Sequence, residues 1–320
     1  MAILKVKKEE KQLNLKVITW GDLTWVDIMP PTEAEMEYLA KKYRFHPLDL
    51  DDCLSRKQLP KLDEYPDYLF LILQFSVWDK VARVSRAHQL SAFIGKDFLI
   101  TLHRGELKTL VKLFQECEMS EETRQENFSQ GSGYLLYSII DRAVDAYFPI
   151  LDKILSWVEE VEDSVFDENL EAAKELSVLR RDIITQRRII FPLRPLINDL
   201  SHKLRRSTFT KIDMTVQFGD LADHMNKICE TLDECKEIIE VFKDTDFLLS
   251  TYRLNRVTRI LAIASAIVLP FLVVSGLYGM NVILPGGIEE GSPQTFIMLL
   301  VILFAIVGIL LYLFHRKRLI

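Results

Sequence analysis

Residues 260–281 read ILAIASAIVLPFLVVSGLYGMN. They lie in an interval, Arg259 to Glu289, that contains no internal Asp, Glu, Lys or Arg, and a second such interval runs from Glu290 to His315. The second holds FIMLLVILFAIVGILLYLF, residues 296–314. Each run approaches the ~20 apolar residues that a membrane-crossing helix requires. Two runs placed together at the C-terminal end favour a membrane hairpin over a helical hairpin buried in a soluble core.

The flanks set an orientation. Arg253, Arg256 and Arg259 precede the first run, and Arg316, Lys317 and Arg318 follow the second. The connection carries Glu289 and Glu290 and no base. The positive-inside rule then predicts two spans with both chain ends in the cytoplasm and the connection outside. The opening MAILKVKKEEKQLNL has acidic residues and no apolar core of a leader, which excludes a signal or transit peptide from the reading. The expected location is the plasma (inner) membrane, multi-pass.

The rest of the 320 residues is strongly charged, and the four cysteines, Cys53, Cys117, Cys229 and Cys235, form no CxxC. Free packing thiols are expected in a cytoplasmic domain. Cys229 and Cys235 are six positions apart and should not share a helix face. YLFLILQFSVW (residues 68–78) and HQLSAFIGKDFLITLH (88–103) read as strands with a turn near Gly95. Thr32, with Glu35 three residues on, marks a helix start. These features predict a cytoplasmic α/β domain over residues 1–130 with a partly antiparallel sheet. Residues 133–166 read as one long amphipathic helical segment with acidic residues from Glu159 onward, and a basic segment follows at 176–197. Together they make a helical hairpin region over residues 131–212. The acidic and basic faces are expected to be solvated and partly neutralising.

From Asp220 to Leu269 there is neither proline nor glycine, and apolar residues fall at 221, 225, 228, 232, 235, 239 and 242. This heptad stripe predicts a long stalk helix over residues 213–281 that becomes the first span at about 257–280. A connecting loop (282–295), a second span (296–314) and a basic tail (315–320) complete the expected organisation. A helix so long with one narrow apolar stripe needs neighbours, its own or those of other subunits.

The same stripe continues as Asn255, Thr258, Ala262, Ser265, Leu269, Leu272, Gly276 and Gly279. Small residues on one face serve helix packing. They equally suit the lining of a pore, with a carboxamide ring at Asn255 and an apolar constriction at Leu269 and Leu272. Pro270 frees a backbone carbonyl at that collar. At the mouth, Asn281 offers a neutral oxygen to a hydrated cation. Mg²⁺ sheds water reluctantly, so neutral carbonyls can hold its waters without trapping it. Glu289 and Glu290 would concentrate cations outside.

YGMN closing the first of two C-terminal spans, behind a long stalk, resembles the CorA family of magnesium channels. The resemblance covers most of the chain and is strongest from residue 213 onward. It implies an α+β cytoplasmic domain, a stalk helix and two transmembrane helices, assembled as a funnel-shaped homopentamer in the lipid bilayer. It implies passive Mg²⁺ uptake gated by intracellular Mg²⁺, with Co²⁺ or Ni²⁺ also carried. Gly279, Met280 and Asn281 match the selectivity signature. Asn255, Thr258, Leu261 and Leu269 match pore-lining or gating positions, and Asp244 an acidic entrance position. Thr258 and Leu269 stand where the family often has methionine. Asp220 resembles a regulatory metal site between subunits, with Asp79 as its partner from the α/β domain. Mg²⁺ is then both cargo and regulator, with no organic cofactor, nucleic acid or other small-molecule substrate. A Zn²⁺ transporter of the same fold and a membrane-tethered coiled-coil scaffold are the alternatives; Met280 argues against the first. No enzyme is expected: His46, His88, His103 and His202 are scattered, and no phosphate-binding G-x-x-x-x-G-K-[ST] occurs.

Overall fold

The computed structural model describes residues 13–55, 58–79, 84–166, 172–279 and 293–316. It divides into two compact units, Met1–Lys243 and Asp244–Ile320.

The first unit is built on a six-stranded sheet: β1 (Leu15–Trp20), β2 (Leu23–Ile28), β3 (Lys61–Glu64), β4 (Tyr68–Asp79), β5 (Val84–Gly95) and β6 (Phe98–Leu102). Their order is β1-β2-β6-β5-β4-β3, and only β2 and β6 are parallel. The turn between β5 and β6 falls on Lys96 and Asp97, and a Cβ at Gly95 would lie 2.4 Å from the Phe98 ring.

Strand β4 shows why its sequence lacks alternation. Phe70 and Ile72 pack with Met36, Leu39 and Leu50 on one face, while Leu69, Leu71 and Leu73 join a larger core on the other. A strand covered on both faces reads as one apolar run. The first face is closed by helices α1 (Glu33–Tyr43) and α2 (Pro47–Leu54). At the start of α1, Glu35 accepts from the Thr32 backbone N–H at 2.9 Å and from the Thr32 hydroxyl, the reciprocal cap that the sequence predicts.

The second face carries α3 (Lys108–Met119), α4 (Glu121–Phe128), α5 (Ser132–Asp145), α6 (Phe148–Phe166), α7 (Ala172–Ile190), α8 (Leu193–Arg206) and the first part of α9 (Thr215–Tyr278). The expected single segment over 133–166 is two helices. Pro149 has no N–H to donate, so it sits in a first turn, and α6 restarts there. Pro192 divides the basic segment into α7 and α8 in the same way.

On α9, Leu221, Met225, Ile228, Leu232, Cys235, Ile239 and Phe242 are all buried, as the heptad stripe requires. Cys229 is buried too, although it stands well around the helix from Cys235. This part of α9 buries a wide arc rather than a seam, because helices pack on both of its flanks. All four cysteines are free and buried, and burial raises each thiol, Cys117 and Cys235 to about 11.

One buried acid ties α7 to the sheet. Asp182 accepts from the Ser85 backbone N–H at 2.7 Å and from its hydroxyl at 3.3 Å. Burial lifts its carboxyl above the usual range despite these donors.

The second unit contains the remainder of α9 and helix α10 (Pro293–Arg316).

Candidate ion path and metal-binding groups

In the second unit, burial separates α9 into two faces. Ile263, Ala266, Ile267, Pro270, Phe271 and Val274 are partly covered. On α10 the less exposed positions are Leu300, Leu303, Val307, Leu310 and Phe314, again spaced by three and four. Leu303 is buried, and the Phe271 and Phe304 rings meet edge to face with centroids 6.2 Å apart. Helix α10 therefore lies along this side of α9.

The predicted stripe lies on the other side. Asn255, Thr258, Ala262, Ser265, Leu269, Leu272, Gly276 and Gly279 are every one exposed. Leu261, on the flank of the stripe, is exposed as well. A Cβ added at Gly276 would meet nothing within 4 Å. The apolar stretch of α9 is long enough to cross a membrane, and none of it is buried. An apolar surface of this extent is a site for lipid or for other chains. The helix ends where the Gly279 N–H bonds the Ser275 carbonyl at 2.9 Å. Met280, Asn281, Glu289 and Glu290 lie outside the described residues. Asp244 is exposed on α9 at the start of the second unit.

The two acids expected at a regulatory site stand differently. Asp79, at the end of β4, pairs with Arg86 at 3.1 Å. Asp220 is exposed on the first part of α9. Its electrostatic neighbours are on α5, which the sequence reading missed. Burial raises the Asp141 carboxyl, and the charges of Asp145 and Asp220 raise it further; the Tyr137 hydroxyl and His224 oppose them. Tyr137 donates to Asp141 at 3.2 Å, and His224 Nδ1 stands 3.3 Å from Asp145 Oδ1. The signal was present in DRAVDAY: Asp141 and Asp145 are four apart, on one helix face. Among the described residues, no three His, Cys, Asp or Glu side chains gather closely enough to hold a metal.

A family model described as CorA-like Mg²⁺ transporter protein matches residues 20–316. The chain belongs to this family. One relative is the putative metal ion transporter YfjQ of Bacillus subtilis, 29% identical over 278 residues, which cover 85% of this chain and 83% of that one. Another is the cobalt/magnesium transport protein CorA of Thermotoga maritima, 26% identical over 262 residues, covering 81% and 73%. The complete structure of the CorA magnesium transporter from Methanocaldococcus jannaschii shares the fold, with a TM-score of 0.76 at 22% identity over 93% of this chain and 92% of that one. The α+β unit, the long helix and the C-terminal apolar helix are thus the CorA fold, and the chain is a transporter-family protein rather than an enzyme-family one.

Proposed function

We propose that this chain is the subunit of a CorA-type Mg²⁺ channel that admits the ion passively, with Co²⁺ or Ni²⁺ as further cargo. The observation that carries the reading is the uncovered stripe on α9. Helix α10 occupies one side of α9, and the opposite side bears Asn255, Thr258, Ser265 and a two-leucine collar, all exposed among the described residues. Several such helices around an axis, five by resemblance to the family, bury this stripe and leave a narrow path between its small residues. Leu269 and Leu272 make the dry constriction, and the carboxamides of Asn255 and Asn281 take the two ends. A divalent cation gains ~4.6 kcal/mol per 100 mV of inward-negative potential, so no coupled energy source is required.

Control by intracellular Mg²⁺ rests on Asp220. Its charge adds to that of Asp141 and Asp145 in a partly buried setting. A divalent ion there relieves carboxylate repulsion and takes remaining ligands from water or from a neighbouring subunit, with Asp79 as the proposed donor.

The test is Mg²⁺ entry into liposomes loaded with a Mg²⁺-sensitive dye, under an inward-negative potential. Wild-type flux should vanish in Asn281→Ala. Chelating internal Mg²⁺ should raise wild-type flux several-fold and leave Asp220→Ala unchanged. Flux of Zn²⁺ alone would assign the chain to zinc transport. No flux of any divalent ion in an assembled oligomer would leave the stripe as helix packing in a scaffold.

A further inference from the structure

Asp79 closes β4, and Val84 opens β5 directly opposite it. Two residues further on, Arg86 lies opposite Val77. Residues two apart along a strand share a face, as do residues directly opposite on paired strands. Asp79, Val84 and Arg86 therefore point to the same side of the sheet, with Arg86 the diagonal neighbour of Asp79. A long side chain spans that diagonal, and Arg86 Nη2 stands 3.1 Å from Asp79 Oδ2. The backbone beneath is held firmly. The Ser85 N–H, one residue before Arg86, donates to the buried Asp182 at 2.7 Å. The pairing thus follows from the strand register and its anchor on α7.

The surroundings decide what this ion pair can do. The Arg86 side chain is 61% exposed and that of Asp79 28%. A pair this open to water is weak, because both charges keep much of their hydration. A divalent ion carries twice the charge of the guanidinium and can take its place. Until it does, Arg86 opposes it in two ways. It occupies one carboxylate oxygen, and its charge repels a second cation approaching the other.

We propose that Arg86 sets the Mg²⁺ concentration at which the channel closes, by neutralising Asp79 while the regulatory site is empty and giving way when Mg²⁺ binds. This rests on the reading above, in which Asp79 donates to an ion held at Asp220 of the partner subunit. Two facing carboxylates with no cation between them bind a metal avidly, since the metal relieves their repulsion. With Arg86 on one of them, that repulsion is already reduced. The site then fills only at higher Mg²⁺, and the threshold depends on a residue that never touches the ion.

The test uses the full chain in lipid nanodiscs. It reads the Mg²⁺ concentration that gives half of the Mg²⁺-dependent rise in unfolding temperature, beside the concentration that halves flux in liposomes. Arg86→Gln should lower both midpoints about fivefold, equivalent to ~1 kcal/mol at the site. Arg86→Lys keeps the charge and loses only the planar fork, and should stay within about twofold of wild type. In an Asp79→Asn background, adding Arg86→Gln should move neither midpoint. If Asp79→Asn raises the midpoints and Arg86→Gln alone leaves them at the wild-type value, the role of Arg86 is overturned and that of Asp79 stands. If Asp79→Asn moves neither midpoint, the reading of Asp79 falls and this proposal with it. An equal shift from Arg86→Gln with and without the Asp79 carboxylate assigns the effect to general surface charge and overturns the proposal as well.

Discussion

Helix α9 carries one stripe through two environments. From Leu221 to Phe242 its residues are large and apolar, and every one is buried by the chain's own helices. From Asn255 to Gly279 the same spacing carries small and polar residues around the two leucines of the collar, and every one is exposed. Periodicity therefore says only that a face is used. Composition says by what: leucine and isoleucine fill a core within the chain, whereas alanine, serine and glycine admit another backbone or an ion.

The largest expected effect separates the two halves by stability. Leu232→Ala empties a fully buried site and should lower the unfolding free energy of the first unit by about 2–5 kcal/mol. Leu269→Ala removes a leucine that is 60% exposed in the chain, and should leave that unfolding transition unchanged while altering cation flux. Denaturant unfolding followed by tryptophan fluorescence, beside the flux assay, reads both. Equal destabilisation by the two would remove the contrast.

A smaller effect is expected at Asp182. Asp182→Ala leaves the Ser85 N–H without its acceptor and should cost about 1–3 kcal/mol in the same unfolding assay. The smallest lies at the start of α1. Burial pushes the Glu35 carboxyl up, but the Thr32 hydroxyl and the backbone N–H groups of Asn14 and Thr32 bring it below its usual 4.5. A depressed acid contributes stability above its unfolded value and loses it as pH falls through the folded one. Glu35→Gln should therefore cost about 1 kcal/mol at neutral pH. The difference from wild type should shrink as the solution is taken below pH 4.5.

What the sequence disclosed was what short-range chemistry controls. The buried stripe from Leu221, the Thr32 and Glu35 cap and the strands at β4 to β6 follow from spacing and composition alone. Pro149 and Pro192 divide segments whose amphipathic pattern runs on through them, because a missing N–H outweighs periodicity. The joint burial of Cys229 and Cys235 depends on how many helices surround α9, which no single helix encodes. Asp141 and Asp145 were hidden for a similar reason. Their meaning depends on Asp220, 75 positions or more away along the chain and brought near by packing.

The four buried thiols bear on what the protein must refuse to do. Only the deprotonated sulfur binds soft metals or reacts with oxidants. With Cys117 and Cys235 raised to about 11 and the others raised as well, none is a thiolate at cellular pH. A divalent-cation transporter gains from sulfur that is chemically silent, since a single exposed thiolate would hold any soft metal ion that came by.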